Sequence, residues 1–132
     1  MRLNNSGFPE LDNSELARML NFIALVVDDD PLQRTFLGDL LKGEGLQVIE
    51  CASAEAAELV LVATGNDLRA LVTDVNLSGG KSGVELAQYA KRKFPRLNVV
   101  MVSSDGPPYI PHDTRFLRKP CGSDELLDAI LK

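Results

Sequence analysis

The chain has 132 residues, 45% hydrophobic composition, a formal charge of -5 and a pI near 4.8. That length suits one globular domain with a single core. The acidic balance opposes non-specific nucleic-acid binding, which needs clustered Lys and Arg to neutralise phosphates. No stretch approaches the roughly 18 apolar residues of a membrane span, and residues 1 to 20 lack a signal peptide's apolar core, so a soluble protein is expected. Only two cysteines occur, Cys51 and Cys121, in no metal-ligand spacing; they predict a reduced, cytoplasmic setting without a disulfide.

Residues 1 to 22 read as an N-terminal extension. Asp12-Asn13-Ser14-Glu15 offers N-caps for a short helix through Leu16, Met19 and Leu20. From Ile23 onward, apolar runs alternate with helical patterns. Ile23 to Val27 reads as a strand, and Pro31 to Lys42 as a helix with Leu32, Phe36, Leu37, Leu40 and Leu41 on one face, stopped by Gly43 and Gly45. Asp30 before Pro31 supplies an N-cap followed by proline at the first helical position. Gln47 to Cys51 is the second strand, and Ser53 caps a helix over Ala54 to Ala63.

Ala70 to Asp74 is the third strand. A third helix opens on Ser82-Gly83-Val84-Glu85, which has capping-box spacing, and Pro95 ends it; Lys91-Arg92-Lys93 suits the negative end of its dipole. Asn98 to Ser103 and Thr114 to Lys119 are the last two strands, and Ser123 caps a final helix with a stripe of Leu126, Leu127, Ile130 and Leu131. Between Ser103 and Thr114 three prolines and few residues leave the fourth helix shortened or absent, and His112 reads as a solvated loop residue. The alternation predicts an α/β, doubly wound, five-stranded parallel sheet with helices on both faces.

In such a sheet ligands bind at the C-terminal ends of the strands. Four apolar runs deliver polar groups there: Asp28 and Asp29, then Asp74, then Ser103, then Lys119. Converging carboxylates repel by about 4 kcal/mol per pair at 4 Å and an effective dielectric near 20, so they need a cation. A carboxylate nucleophile, a divalent metal, a hydroxyl and an ammonium are the parts of a phosphoryl-accepting site.

The segments Leu25-Val26-Val27-Asp28-Asp29-Asp30-Pro31-Leu32, Leu71-Val72-Thr73-Asp74-Val75-Asn76-Leu77, Val100-Met101-Val102-Ser103-Ser104 and Phe116-Leu117-Arg118-Lys119-Pro120 together resemble the receiver domain of two-component response regulators. The resemblance covers residues 23 to 132. It implies a CheY-like, flavodoxin-like sheet of order 2-1-3-4-5, with Asp74 as phosphoacceptor. Asp28, Asp29, Asp74 and the backbone carbonyl of Asn76 are then the Mg2+ ligands, Ser103 and Lys119 the other catalytic groups, and Ser103 and Phe116 the switch pair. A cis Lys119-Pro120 peptide is also implied. The phosphodonor would be a histidine kinase or histidine phosphotransfer protein, with no turnover enzyme, no direct nucleic-acid contact and no membrane partner expected.

Three features depart from the family pattern. Phe116 carries no hydroxyl, the loop from Asp74 to Gly83 is one residue longer than usual, and the fourth-helix region is short. Shortened receivers occur both alone and fused to hybrid kinases. A receiver serving only as a docking module is the alternative. A haloacid-dehalogenase-type phosphohydrolase is disfavoured, because that family puts its nucleophile on the first strand and its acid pair late in the chain.

Overall fold

The structure is a computed structural model, and it describes residues 22 to 131. The extension anticipated over residues 1 to 22, with its short helix, lies outside the described residues except for Phe22.

Five strands form one parallel sheet in the order β2-β1-β3-β4-β5: β1 (Ile23–Val27), β2 (Gln47–Cys51), β3 (Ala70–Asp74), β4 (Asn98–Ser103) and β5 (Arg115–Arg118). Among the described residues four helices accompany them: α1 (Pro31–Gly43), α2 (Ala54–Thr64), α3 (Gly83–Lys93) and α4 (Ser123–Leu131). Strand order and helices agree with the expected doubly wound sheet. The registers pair Val27 with Thr73 and Asp74 with Val102, which aligns the C-terminal ends of the central strands.

Strand alternation divides the core into two layers. Ala24, Val26, Val72, Val100 and Val102 face α1 and α4 through Leu37, Leu41, Leu126 and Ile130. Leu25, Val27, Leu71, Val99 and Met101 face α2 and α3 through Ala57, Leu61, Val84 and Leu86. Cys51 packs in the second layer and Cys121 in the first, so the two thiols are free and lie on opposite sides of the sheet. Burial raises the pKa of both.

Helix ends follow local chemistry. Asp30 caps α1, its Oδ1 accepting from the N–H groups of Leu32 and Gln33. Ser53 caps α2, and Ser82 and Glu85 close a reciprocal capping box on α3. Lys91, in the last turn of α3, donates to the Leu97 carbonyl and pairs with Asp113.

Two expectations need correction. Ser123 is the first residue of α4 rather than its cap: the Gly122 carbonyl accepts the Leu126 N–H, which puts Gly122 at the boundary. Leu32 and Phe36 share the apolar periodicity of α1 but are 82% and 60% exposed, while Leu37 and Leu41 are buried. The first turns of α1 lie by the C-terminal edge of the sheet, so their apolar side chains have no strand beneath them.

No helix lies between β4 and β5. That connection is held by Thr114, whose hydroxyl and N–H both donate to the Pro111 carbonyl, by buried Pro111, and by Asp113 in a left-handed conformation (φ 60°) that places its carboxylate on Lys91. The Lys91 ammonium lowers the Asp113 pKa. No helix among the described residues is long and apolar enough to cross a membrane.

Candidate functional site

All four predicted segments meet at the C-terminal edge of the sheet. Asp28 follows β1 and is fully buried, Oδ1 accepting from the Asp30 N–H at 2.9 Å and Oδ2 from Lys119 Nζ at 3.0 Å. Asp29, partly exposed, accepts the Ser78 N–H at 3.0 Å through Oδ2. Asp74 closes β3, with Oδ1 accepting from the Asn76 N–H at 3.1 Å and Oδ2 from Lys119 Nζ at 3.3 Å. One carboxylate oxygen from each of Asp28, Asp29 and Asp74 lies within 4.8 Å of the others.

Three carboxylates and one ammonium leave this cluster with two excess negative charges when all are ionised. Its donors are all oxygen, which suits a small hard divalent cation better than a thiolate- or imidazole-seeking metal. Burial is the main cause that raises the Asp74 pKa, and nearby Asp28 adds to it; the Asn76 N–H and Lys119 work the other way. A bound cation would relieve the same repulsion.

Lys119 is held from two directions. Its N–H donates to the Ser103 carbonyl at 2.9 Å, in continuation of the β4–β5 ladder, and its peptide to Pro120 is cis. The ammonium donates to Asp28, Asp74 and the Gln33 side-chain oxygen, three acceptors for three protons. Ser103 is buried beside them, its Oγ accepting from Asn76 Nδ2 at 3.5 Å and from the Asp105 N–H at 3.3 Å. Phe116, half-buried, packs against the core layer that holds Met101; the Arg118 guanidinium sits 5.9 Å from its ring centre and donates to the Ser104 carbonyl at 2.7 Å.

The geometry brings together Asp28, Asp29, Asp74, Asn76, Ser103 and Lys119, whereas Phe116 pairs in register with Met101, two residues before Ser103. Asp30 contributes a helix cap and no oxygen to the cluster. This predicts different outcomes for neighbouring acids. Asp29→Ala should weaken the binding of a divalent cation by at least about tenfold, whereas Asp30→Ala should lower stability by about 1 kcal/mol and leave that affinity within about twofold. Calorimetric titration of both variants checks this, and equal losses of affinity would place Asp30 among the ligands.

Sequence reasoning missed three participants. Gln33 has no motif, only its place in the first turn of α1 after the Asp30 cap, which turns it toward Lys119. Ser78 acts through its backbone, for which side-chain identity gives no signal. Gly83 is the third: a Cβ built on it would lie 1.7 Å from the Asp74 carbonyl oxygen, and its N–H donates to the Val75 carbonyl at 2.9 Å. The start of α3 therefore rests directly on the backbone of Asp74. The long loop between them is tied down by Lys81, which pairs with Glu58 of α2 at 2.7 Å, and turns at Gly79 (φ 101°).

The family model of the response regulator receiver domain matches residues 24–131. The chain belongs to that family. Among solved structures, this receiver is similar to a response regulator receiver domain protein from Clostridium thermocellum (20% identity, TM-score 0.71, covering 83% of this chain and 91% of that one). It is also similar to the chemotaxis protein CheY4 of Vibrio cholerae (19%, 0.71, 83% and 96%) and to a receiver protein from Sinorhizobium medicae (24%, 0.71, 83% and 91%). At these identities the likeness supports the fold alone. No curated protein matches the chain by sequence.

Proposed function

We propose that this receiver domain takes a phosphoryl group from the phosphohistidine of a histidine kinase or histidine phosphotransfer protein onto Asp74, with Mg2+ as cofactor, and changes conformation in response. The observation that carries this reading is the Asp74 carboxylate itself. It sits at the end of a central strand, each oxygen held by a separate donor, beside two further carboxylates and an ammonium.

A carboxylate oxygen of Asp74 forms the new bond to phosphorus while the phosphorus–nitrogen bond of the donor breaks; the imidazole leaves with the bonding pair and takes up a proton. Asn76 N–H and Lys119 fix the plane of the nucleophile. Asp28, Asp29, Asp74 and the Asn76 carbonyl would hold Mg2+, which when bound supplies positive charge between two anionic reactants. Lys119 gives up one present acceptor to reach a phosphoryl oxygen, and Gln33, neutral and exposed, is the one whose loss leaves no buried carboxylate unpaired. The buried Ser103 hydroxyl lies where it can donate to a second oxygen and so couple the product to the end of β4.

The donor's contact surface is read from the same edge. Exposed Leu32 and Phe36 stand beside a groove of about 310 Å³ lined by Gln33, Phe36, Leu37, Ser104, Lys119 and Cys121. Exposed apolar side chains next to a reactive group mark a binding surface. The function is tested by mass spectrometry after treatment with acetyl phosphate and Mg2+: one phosphoryl adduct that needs the metal is expected, whereas no adduct would favour a docking module and donor turnover without adduct a phosphohydrolase.

Lys119→Ala should remain a phosphoryl acceptor, labelled about a hundredfold more slowly, but lose the conformational response. The amide shifts of Ser103, Ser104 and Phe116 on adding beryllofluoride report it. A wild-type pattern of shifts in the variant would remove Lys119 from the switch.

A further inference from the structure

Arg34, at the end of the first turn of α1, reaches back to the end of β1. Its Nη1 donates to the Asp28 carbonyl at 2.8 Å, and its Nε pairs with the Glu50 carboxylate of β2 at 3.7 Å. Asp28 is fully buried, and its carbonyl stands beyond the last residues of β1 paired in the sheet, Val27 with Cys51 and with Thr73. Its N–H still donates to the Cys51 carbonyl at 3.1 Å. Two consecutive residues of β2 thus fix the two sides of Asp28, Cys51 by its backbone and Glu50 through Arg34.

The sequence of α1 suits this arrangement. Arg34, Gly38 and Lys42 recur every four residues on the face turned to Glu50. Lys42 pairs with Glu50 Oε2 at 3.5 Å, and a Cβ on Gly38 would lie 2.9 Å from that same oxygen. A glycine inside a helix lowers its stability relative to alanine. Here it leaves the space that the Glu50 carboxylate fills. The two ion pairs, at 3.5 and 3.7 Å and partly exposed, contribute little to stability, whereas the bond to the buried carbonyl is short and its donor charged.

The Asp28 carbonyl and the Asp29 N–H belong to one planar peptide, so holding that oxygen fixes where the Asp29 Cα and side chain begin. We propose that Arg34 is a positioning residue of the acidic pair: oriented by Glu50, it sets the Asp28–Asp29 peptide so that the Asp29 carboxylate stands in the cluster with Asp28 and Asp74. This role rests on the reading of those three carboxylates as the holders of Mg2+. The bond of Arg34 is to the backbone rather than to a carboxylate of the cluster, so it acts by geometry. As a charge alone it would oppose a bound cation, and its removal would tighten binding.

The test is an Mg2+ titration of the full chain, followed by amide shifts. Arg34→Met keeps the aliphatic stem and should weaken Mg2+ binding about tenfold. In the metal-free protein the same change should move the amide resonance of Ser78, whose N–H the Asp29 carboxylate accepts, while those of β4 and β5 stay in place. Glu50→Gln should weaken binding about threefold and Lys42→Met less than about twofold. In an Asp29→Ala background Arg34→Met should add less than about twofold, because the carboxylate it places is gone. Unchanged or tighter Mg2+ binding by Arg34→Met would overturn the proposal and leave the site reading intact, as would a loss that adds in full to that of Asp29→Ala. A wild type that binds no Mg2+ would instead overturn the site reading, and this role with it.

Discussion

Asp74→Asn should abolish labelling by acetyl phosphate, a fall of at least about a thousandfold, and should do so without loss of the fold. The amide keeps the size of the carboxylate and can still accept from the Asn76 N–H, but it is no nucleophile toward phosphorus. Stability gives an independent check on the same residue. Burial raises the Asp74 pKa in the folded state. The folded form therefore holds the proton more tightly than the unfolded chain, so stability from this group is present below the ordinary carboxylate range and is lost as pH rises through the raised value. At pH 7 without Mg2+, Asp74→Asn should accordingly be at least as stable as the wild type, and the advantage should vanish on acidification. Denaturant titrations at pH 7 and at low pH, with chelator present, measure this. Undiminished labelling of the variant, localised elsewhere by peptide mapping, would remove Asp74 from the centre of the site.

Gly83→Ala should cost about 3 kcal/mol, lowering the midpoint of thermal unfolding by about 10 °C. A methyl group cannot share 1.7 Å with the Asp74 carbonyl oxygen, and the atoms around it, Asp74 C and Val75 Cα at 2.7 and 2.9 Å, are backbone that cannot rotate away. Either α3 lifts from the sheet, which uncovers Val84 and Leu86, or the end of β3 is displaced. The second response moves the Asp74 carboxylate, so labelling should slow as well. Thermal unfolding followed by circular dichroism reads the first effect and acetyl phosphate labelling the second. An unchanged midpoint would mean that the capping box of Ser82 and Glu85 tolerates a shifted α3.

The central strands were legible because each is a short apolar run that a polar residue ends or follows: Ile23–Val27, Ala70–Asp74 and Asn98–Ser103 lie where the runs predict. The site was legible for the same reason, since a parallel sheet collects the residues that end its strands. What could not be read depends on three-dimensional neighbours. Periodicity places Leu32 and Phe36 on the face of Leu37 and Leu41, but nothing in the spacing tells how far α1 overhangs the strands. Gly83 reads as an ordinary helix start, because its importance lies in the distance to a residue nine positions earlier. Ser78 and Gln33 contribute a backbone N–H and a neutral acceptor, which no residue pattern flags.

The missing helix between β4 and β5 also affects how copies of the sheet meet. β5 is an outer strand with only four residues, and an uncovered strand edge offers its backbone as a template for another chain. Here that edge is short, and Arg115 and Arg118 stand at its two ends, one guanidinium reaching the Asp128 carbonyl and the other the Ser104 carbonyl. Two such edges brought together would confront cation with cation. The arginines of β5 thus act as gatekeepers against sheet extension and aggregation, a protection that matters more in a domain that runs from its fourth strand to its fifth through a loop.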